Sequence, residues 1–352
     1  MSDLVVAGAG MAGLVAAAQA RQRGATVEVR EKLDRPGGSM LLSSGVIWRY
    51  RDLDSFRKEC PAGEAGLQRI VVERLDRDLD WLRSLGAEST GGTGNERTVG
   101  CRFEPRHLTA TLLAAAGPPR LGFAVKELPA SGPLVLATGG FAASRELVER
   151  HVTPEAEALM LRAAPGATGD GLHIGLDAGA ETDSSLGEAY GRNMPAPPAK
   201  ISPAGFVSLS QLYASAADVR NALGERFESR HWSQIDAFQW TACQPGARAW
   251  LRVRNDRLDE VVGGRTVAAM VGGAEAAGAP TRRDRDSVTV ETVAGITTTL
   301  GGLKCDHNAQ VAPGVFAAGS DVGGISSGGY ASGLATALVL GRIAADAALG
   351  MA

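Results

Sequence analysis

Leu4–Val5–Val6–Ala7 is an unbroken apolar run that ends in glycines, the pattern of a strand buried on both faces. From Met11 to Arg23 the chain is alanine-rich with no breaker after Gly13, which predicts a helix stopped by Gly24. Residues 25–30 then alternate into a second strand, so the chain opens as a βαβ unit. Over 64–86, Leu67, Ile70, Val71, Leu75, Leu79 and Leu82 recur at three- and four-residue steps, and Gly86 ends the pattern of an amphipathic helix. The same reading predicts helices over 108–116 and 170–178. It also predicts a buried strand over 134–137 that runs into Thr138–Gly139–Gly140.

The texture changes near residue 183. Pro195, Pro197, Pro198 and Pro203 suit an extended connector over 194–205, and the stretch to about 290 mixes Trp, Arg and short strand-like runs with one helix near 264–277. Residues 294–352 return to glycine, alanine and valine, with a strand over 315–318 and a long helix over about 332–348. A domain over 183–293 inserted between 1–182 and 294–352 follows from this pattern.

Composition narrows the functions. A 352-residue chain favours two domains, and a net charge of −3 gives no electrostatic reason to bind nucleic acid. The run Arg282–Arg283–Asp284–Arg285 reads as a solvated loop. No basic leader segment and no membrane-length apolar run is visible, which predicts a cytoplasmic protein off the membrane. Cys60, Cys101, Cys243 and Cys305 form no C-x-x-C pair and read as free, mostly buried thiols; the histidines are dispersed, and no metal site is expected. Nothing specifies an oligomeric state. Forty-six glycines point to several loops that approach a ligand.

The first such loop is Gly8–Ala9–Gly10–Met11–Ala12–Gly13, between a strand and a helix as a dinucleotide fingerprint requires. Gly8 permits the turn, Gly10 lets backbone approach a pyrophosphate, and Gly13 lets helix pack on strand. Free amides at the helix N-terminus then face the phosphates. Glu31 ends the second strand and can accept from both hydroxyls of an adenosine ribose. It leads through Lys32 into Gly37–Gly38–Ser39. At the far end, Ala317–Ala318–Gly319–Ser320–Asp321 is strand, glycine turn and carboxylate. Asp321 is placed to hold a ribityl hydroxyl or lie near the pyrophosphate; its competing role is to cap the next turn. The N-terminus of the helix starting near Ser332, Gly333 and Leu334, aimed at the N1–C2=O edge of a flavin, would stabilise negative charge on the reduced ring.

These segments come in family order with Leu136–Ala137–Thr138–Gly139–Gly140–Phe141, Ala167–Thr168–Gly169–Asp170–Gly171, Ile296–Thr297–Thr298–Thr299–Leu300–Gly301–Gly302 and Gly341–Arg342–Ile343–Ala344. On these motifs the chain resembles the fumarate reductase/succinate dehydrogenase flavoprotein family, including its 3-ketosteroid and tricarballylate dehydrogenase-like branch. The resemblance implies an α/β fold: a Rossmann-like FAD-binding domain with an inserted α+β capping domain, and substrate clamped between them. It extends the cofactor contacts to Ser44, Gly45, Ala137, Thr138, Gly139 and Asp170. The stretch 117–133 is brief for the strands that the family places there. The residues also depart from the family. Ser39–Gly45 holds no histidine, so FAD is expected to be non-covalent. Thr298 stands where relatives keep a substrate histidine. Gly328–Gly329–Tyr330–Ala331–Ser332 replaces an arginine-bearing loop, and Gln234 falls nearest a proton-shuttling arginine. Fumarate is therefore not the expected substrate.

Hydride transfer across a C–C bond needs a partner for the proton beside a carbonyl. Tyr330 is the first candidate, as donor to that carbonyl or as base. Tyr190 and Arg192 form a second cluster, Arg192 suiting a carbonyl or carboxylate. Arg230, His231 and Trp232 form a third, with His231 as acid or base. Thr297 and Thr298 could bond flavin or substrate. Ordinary structural readings compete: a packed tyrosine, an exposed hinge turn, a surface turn and strand-end hydroxyls. Three functions stay open. They are an FAD-dependent oxidoreductase of a small carbonyl-bearing molecule, an NAD-dependent Rossmann dehydrogenase, and a flavin-binding protein without turnover.

Overall fold

Strand β1 (Leu4–Ala7) is buried at every position, and β2 (Val27–Glu31) is most buried at Val27, Val29 and Glu31, as their run and alternation require. Between them α1 (Met11–Gln22) is buried from Met11 to Ala20, as a helix that is apolar nearly all round requires. The computed structural model describes residues 2–351. The chain continues through β3 (Val46–Tyr50), α2 (Leu53–Glu59), α3 (Ala65–Ser84), β4 (Ser89–Gly91), β5 (Thr98–Phe103) and α4 (Pro105–Ala116). Strands β3, β5 and β4 make a small antiparallel sheet. Helix α3 buries Leu67, Val71, Leu75, Leu79 and Leu82 on the face that the periodicity marks.

Next come β6 (Arg120–Leu121), β7 (Leu134–Leu136), α5 (Arg145–His151), β8 (Met160–Leu161), α6 (Asp170–Asp177) and β9 (Ala189–Pro195). Then follow β10 (Asp218–Arg220), β11 (Arg226–Phe227), α7 (Ile235–Ala242), β12 (Arg248–Arg254), β13 (Val261–Val262) and β14 (Arg265–Thr266). The remainder is α8 (Val267–Ala277), β15 (Thr281–Arg283), β16 (Ser287–Thr299), β17 (Gln310–Ala312), β18 (Val315–Ala317) and α9 (Gly333–Ala348).

Contacts divide the chain into two units. The first comprises the chain up to Ser144, Ala164–Glu188 and the part from Thr298 onward. Its main sheet has the order β17-β18-β7-β1-β2-β6, parallel throughout except for β17. Two strands from the far end of the sequence thus extend a sheet that the first residues begin. Helix α9 crosses α1 closely: a Cβ on Gly341 would stand 2.8 Å from the Ala12 carbonyl oxygen. Only the two-residue β6 occupies the brief 117–133 stretch.

The second unit comprises Arg145–Ala163 and Ala189–Thr297. Its sheet runs β11-β10-β12-β16-β15, with β8 and β9 also on β16, and its core includes Tyr213, Leu251, Val253, Met270 and Val288. The stretch 145–163, expected in the first domain, joins this unit because β8 pairs in parallel with Gly295–Ile296 and the Thr153 hydroxyl donates to the Ala242 carbonyl at 2.7 Å. Two further expectations are corrected. Met194 and Pro195 belong to β9, so the extended connector starts after them. Arg282 and Arg283 lie in the edge strand β15, whose charges keep an open sheet edge from pairing with other chains. All four cysteines are free, but Cys60 alone is buried; Cys243 is exposed. Among the described residues no helix is long and apolar enough to cross a membrane.

Candidate cofactor and active site

The three fingerprint glycines answer to three different constraints. Gly8 has φ +104°, and a Cβ there would collide with the Ala137 carbonyl at the end of β7. On Gly13 a Cβ would collide with the Gly8 carbonyl, so helix and turn could not close. Gly10 is the opposite case: a Cβ would meet nothing within 4 Å, so its backbone borders open space. No side chain caps α1 and no acid stands in its first turn. Leu14 is the first residue whose amide bonds back, to Gly10 at 3.0 Å, which leaves the amides of Met11, Ala12 and Gly13 without intrahelical acceptors. The Gly37 amide donates to the Ala9 carbonyl at 2.8 Å, and Gly38 lies against Gly10. Ser39 extends this edge by accepting from the Ala164 amide at 2.9 Å.

Glu31, 8% exposed, accepts from the Ala9 amide at 2.8 Å and the Leu33 amide at 2.9 Å. It therefore braces the fingerprint turn, and each oxygen keeps a lone pair for a further donor. Lys32 turns the other way. Its ammonium donates to Thr168 at 2.6 Å and pairs with Asp170 at 2.9 Å, so these two expected cofactor contacts are joined to each other.

Asp321 takes the turn-capping role. One oxygen accepts from the Thr138 amide; the other accepts from the Thr138 hydroxyl at 2.9 Å and the Gly140 amide at 3.0 Å. Burial pushes this carboxyl above the usual carboxylate range, and the bonds from Gly140 and Thr138 pull it back. A carboxylate engaged by three donors works as a positioning residue for this turn. The Thr138 hydroxyl accepts in turn from the Gly171 amide at 2.9 Å, and Gly319 packs on Ala12. Gly45 also has a structural reason: a Cβ would strike the Phe103 carbonyl, and its own carbonyl accepts from Phe103 at 2.9 Å, with Ser44 partly exposed beside it.

The loop before α9 is fastened at several points. Its Gly328 amide donates to Glu188 at 2.8 Å, the Ile325 carbonyl accepts from Gln68 at 2.9 Å, and the Tyr330 carbonyl accepts from the Tyr50 hydroxyl at 2.8 Å. The Tyr330 ring meets Trp48 edge-on at 5.9 Å. Burial pushes the Cys60 thiol, beside this loop, up to about 12, which removes it as a nucleophile. Ser332 caps α9 by accepting from Ala335 at 3.3 Å. Gly333 is exposed and a Cβ there would meet nothing within 4 Å, and Leu334 is partly exposed. Glu188, Gln68 and Tyr50 are absent from the sequence reading because no motif marks a bond across so many residues.

The second unit gathers the other three candidates. The Arg192 guanidinium lies 5.0 Å from the Tyr190 ring centroid and donates to the Ser233 carbonyl. The Ser233 hydroxyl meets His231 Nδ1 at 2.7 Å. Gln234, at φ +56°, holds the Ala214 amide at 2.7 Å, a bond that fixes a loop. Thr297 accepts from Arg162 at 3.0 Å in this unit, whereas Thr298 bonds Ser320 at 2.7 Å in the first.

The donor set of the first unit fits a dinucleotide. It offers an uncapped helix, open backbone at Gly10 and Gly333, and a buried carboxylate at the end of β2. A family model described as FAD binding domain matches residues 3–126 and 124–335. The chain is 22% identical to the fumarate reductase (cytochrome) of Shewanella frigidimarina, in an alignment covering 98% of this chain and 76% of that protein. It superposes on 3-ketosteroid-delta4-(5alpha)-dehydrogenase from Rhodococcus jostii RHA1 with a TM-score of 0.73 and 18% identity, over 99% of this chain and 96% of the other. For 3-ketosteroid delta1-dehydrogenase from Sterolibacterium denitrificans the TM-score is 0.75 at 16% identity, over 100% of both chains. At these identities the structures establish the shared fold.

Glu31→Gln tests the ribose assignment. It keeps the size of the side chain and removes its charge. Weakening of FAD binding by about 2–3 kcal/mol is expected, the scale of hydrogen bonds to a charged group. A variant that retains its full flavin through gel filtration would place Glu31 away from the cofactor.

Proposed function

The chain belongs to the FAD binding domain family, and from that we propose an FAD-dependent oxidoreductase acting on a carbonyl-activated C–C bond of a small organic molecule other than fumarate. Bound FAD supplies the hydride acceptor or donor at N5. The observation that carries the reading is the cradle itself, in which both ends of the chain supply backbone to one helix N-terminus. Gly8, Gly10, Met11, Ala12 and Gly13 would hold the pyrophosphate. Glu31 would hold the ribose, and the edge formed by Gly37–Ser39 and Ala137–Gly139 would hold the rest of the cofactor. No histidine stands in residues 36–50, so attachment is non-covalent.

Tyr330 stands in the loop that delivers the chain to α9. Its phenol would donate a hydrogen bond to a substrate carbonyl oxygen, drawing charge from the adjacent C–H bond, or as phenolate take that proton. Tyr190, Arg192 and His231 form a joined set in the second unit that offers a donor, a cation and an acid or base. A ketone suits a phenol donor; a dicarboxylate needs two cationic anchors. The 3-ketosteroid dehydrogenases that share the fold are named for ketone substrates. The fumarate reductase relative is named for a dicarboxylate, and the side chains at Thr298, Tyr330 and Gln234 supply no cation for one.

Three results are expected. Acid precipitation should release all of the flavin as FAD, and flavin left on the pellet would contradict non-covalent attachment. A panel of saturated ketones, enones and fumarate, mixed anaerobically with oxidised or photoreduced protein, should show flavin turnover with a ketone or enone and negligible turnover with fumarate. With that substrate, Tyr330→Phe should keep its FAD and lower the rate of flavin reduction or oxidation by about 10²–10⁴, the range for a positioned acid or base. An unchanged rate would assign Tyr330 to packing. Efficient fumarate reduction would overturn the substrate class, and silence across the panel would favour a flavin-binding protein without turnover.

A further inference from the structure

A cavity of about 410 Å³ lies in the first unit, away from the fingerprint. Arg23, Arg74, Arg77 and Arg342 line it, with Asp346 and His307. Arg23 follows the C-terminal end of α1, whereas the fingerprint is at the N-terminal end. Twelve helical residues separate the two by roughly 18 Å. The other arginines come from α3 and α9, so three elements of different sequence position direct cations at one space.

The carboxylates nearby do not balance them. Asp346 is engaged by Arg23 at 2.9 and 3.2 Å and accepts from Gln19 at 2.8 Å. Asp78 is fully buried and accepts from Arg342, with Arg74 and Arg77 each at 3.9 Å. Among the described residues, two acids thus answer four guanidiniums. Arg23 and Arg77 stand at the solvent side of the cavity, 45% and 66% exposed, and the other two are withdrawn from water. The side chains of Arg74 and Arg342 are only 27% and 13% exposed, and Arg74 Nε is buried without a hydrogen-bond partner. Burial lowers the pKa of both guanidiniums; Arg77 adds repulsion, and Asp78 opposes the shift. Arg342 is also held in place, stacked 4.7 Å from the Trp81 ring centroid and donating to Gln19 at 2.9 Å. Pre-set, part-desolvated guanidinium forks match the planar and tetrahedral oxyanions that they bind in pairs.

We propose that this cavity is a binding site for a small, multiply charged oxyanion, a phosphate ester or a polycarboxylate, separate from the cofactor cradle. The volume admits a ligand larger than a single phosphate.

The test is isothermal titration of the FAD-loaded protein with inorganic pyrophosphate and, in parallel, citrate, against sodium chloride at equal ionic strength. Loaded protein keeps the cofactor's own pyrophosphate site closed. Saturable one-site binding is expected, weakened at least about tenfold by Arg74→Gln and by Arg77→Gln, since each removes a charged partner. Arg77 is 66% exposed, so its variant tests the site even if Arg74→Gln does not fold. Binding of pyrophosphate alone identifies a phosphate site, of citrate alone a carboxylate site, and of both a general oxyanion site. No saturable heat beyond the chloride control, unchanged affinity in Arg77→Gln, or binding that releases flavin would each overturn the proposal.

Discussion

A buried carboxylate must find donors, and Asp321 finds them in the turn that follows β7. That constraint determines much of the first unit. It locks the end of β18, encoded near the C-terminus, onto Thr138–Gly140 in the middle of the chain. Through Thr138 it reaches the start of α6 at Gly171. Through Gly319, packed on Ala12, it fixes how the late strand meets the fingerprint helix. Three segments far apart in sequence thus share one hydrogen-bonded centre, and the open backbone at Gly10 lies at its edge.

Locally encoded features were legible in the sequence. The glycine fingerprint, Glu31 at the strand end and the amphipathic α3 depend on neighbours within a few residues, and periodicity and turn chemistry report such neighbours directly. Partnerships at long range were not. Nothing in Lys32–Leu33–Asp34 shows that Lys32 will pair with Asp170, and nothing near Glu188 points to Gly328. The donors that Asp321 meets were not legible, because they are set by which turn packs opposite. The segment 145–163 was misplaced for the same reason: composition does not reveal that two residues of β8 will join β16.

The chemistry divides in the same way. Motif order carries the cofactor, since a dinucleotide is held largely by backbone that only particular glycines permit. Substrate is recognised by side chains, and the sequence resemblance puts Thr298, Tyr330 and Gln234 where the dicarboxylate pattern would have a histidine or an arginine. Each replacement has a structural engagement of its own. Thr298 bonds Ser320, Tyr330 packs on Trp48, and Gln234 holds the Ala214 amide. Each of these engagements is local to its own unit.

The measurement that bears most directly on this arrangement is the FAD stoichiometry of Asp321→Asn, with circular dichroism as the check on folding. The amide keeps the shape but turns an N–H toward donors that need an acceptor. A folded protein with little bound FAD is the expected result, because the turn that joins the late segment to the middle of the chain would open. One tightly bound FAD per chain, with affinity unchanged from the parent protein, would contradict an account in which this buried carboxylate assembles the cofactor site.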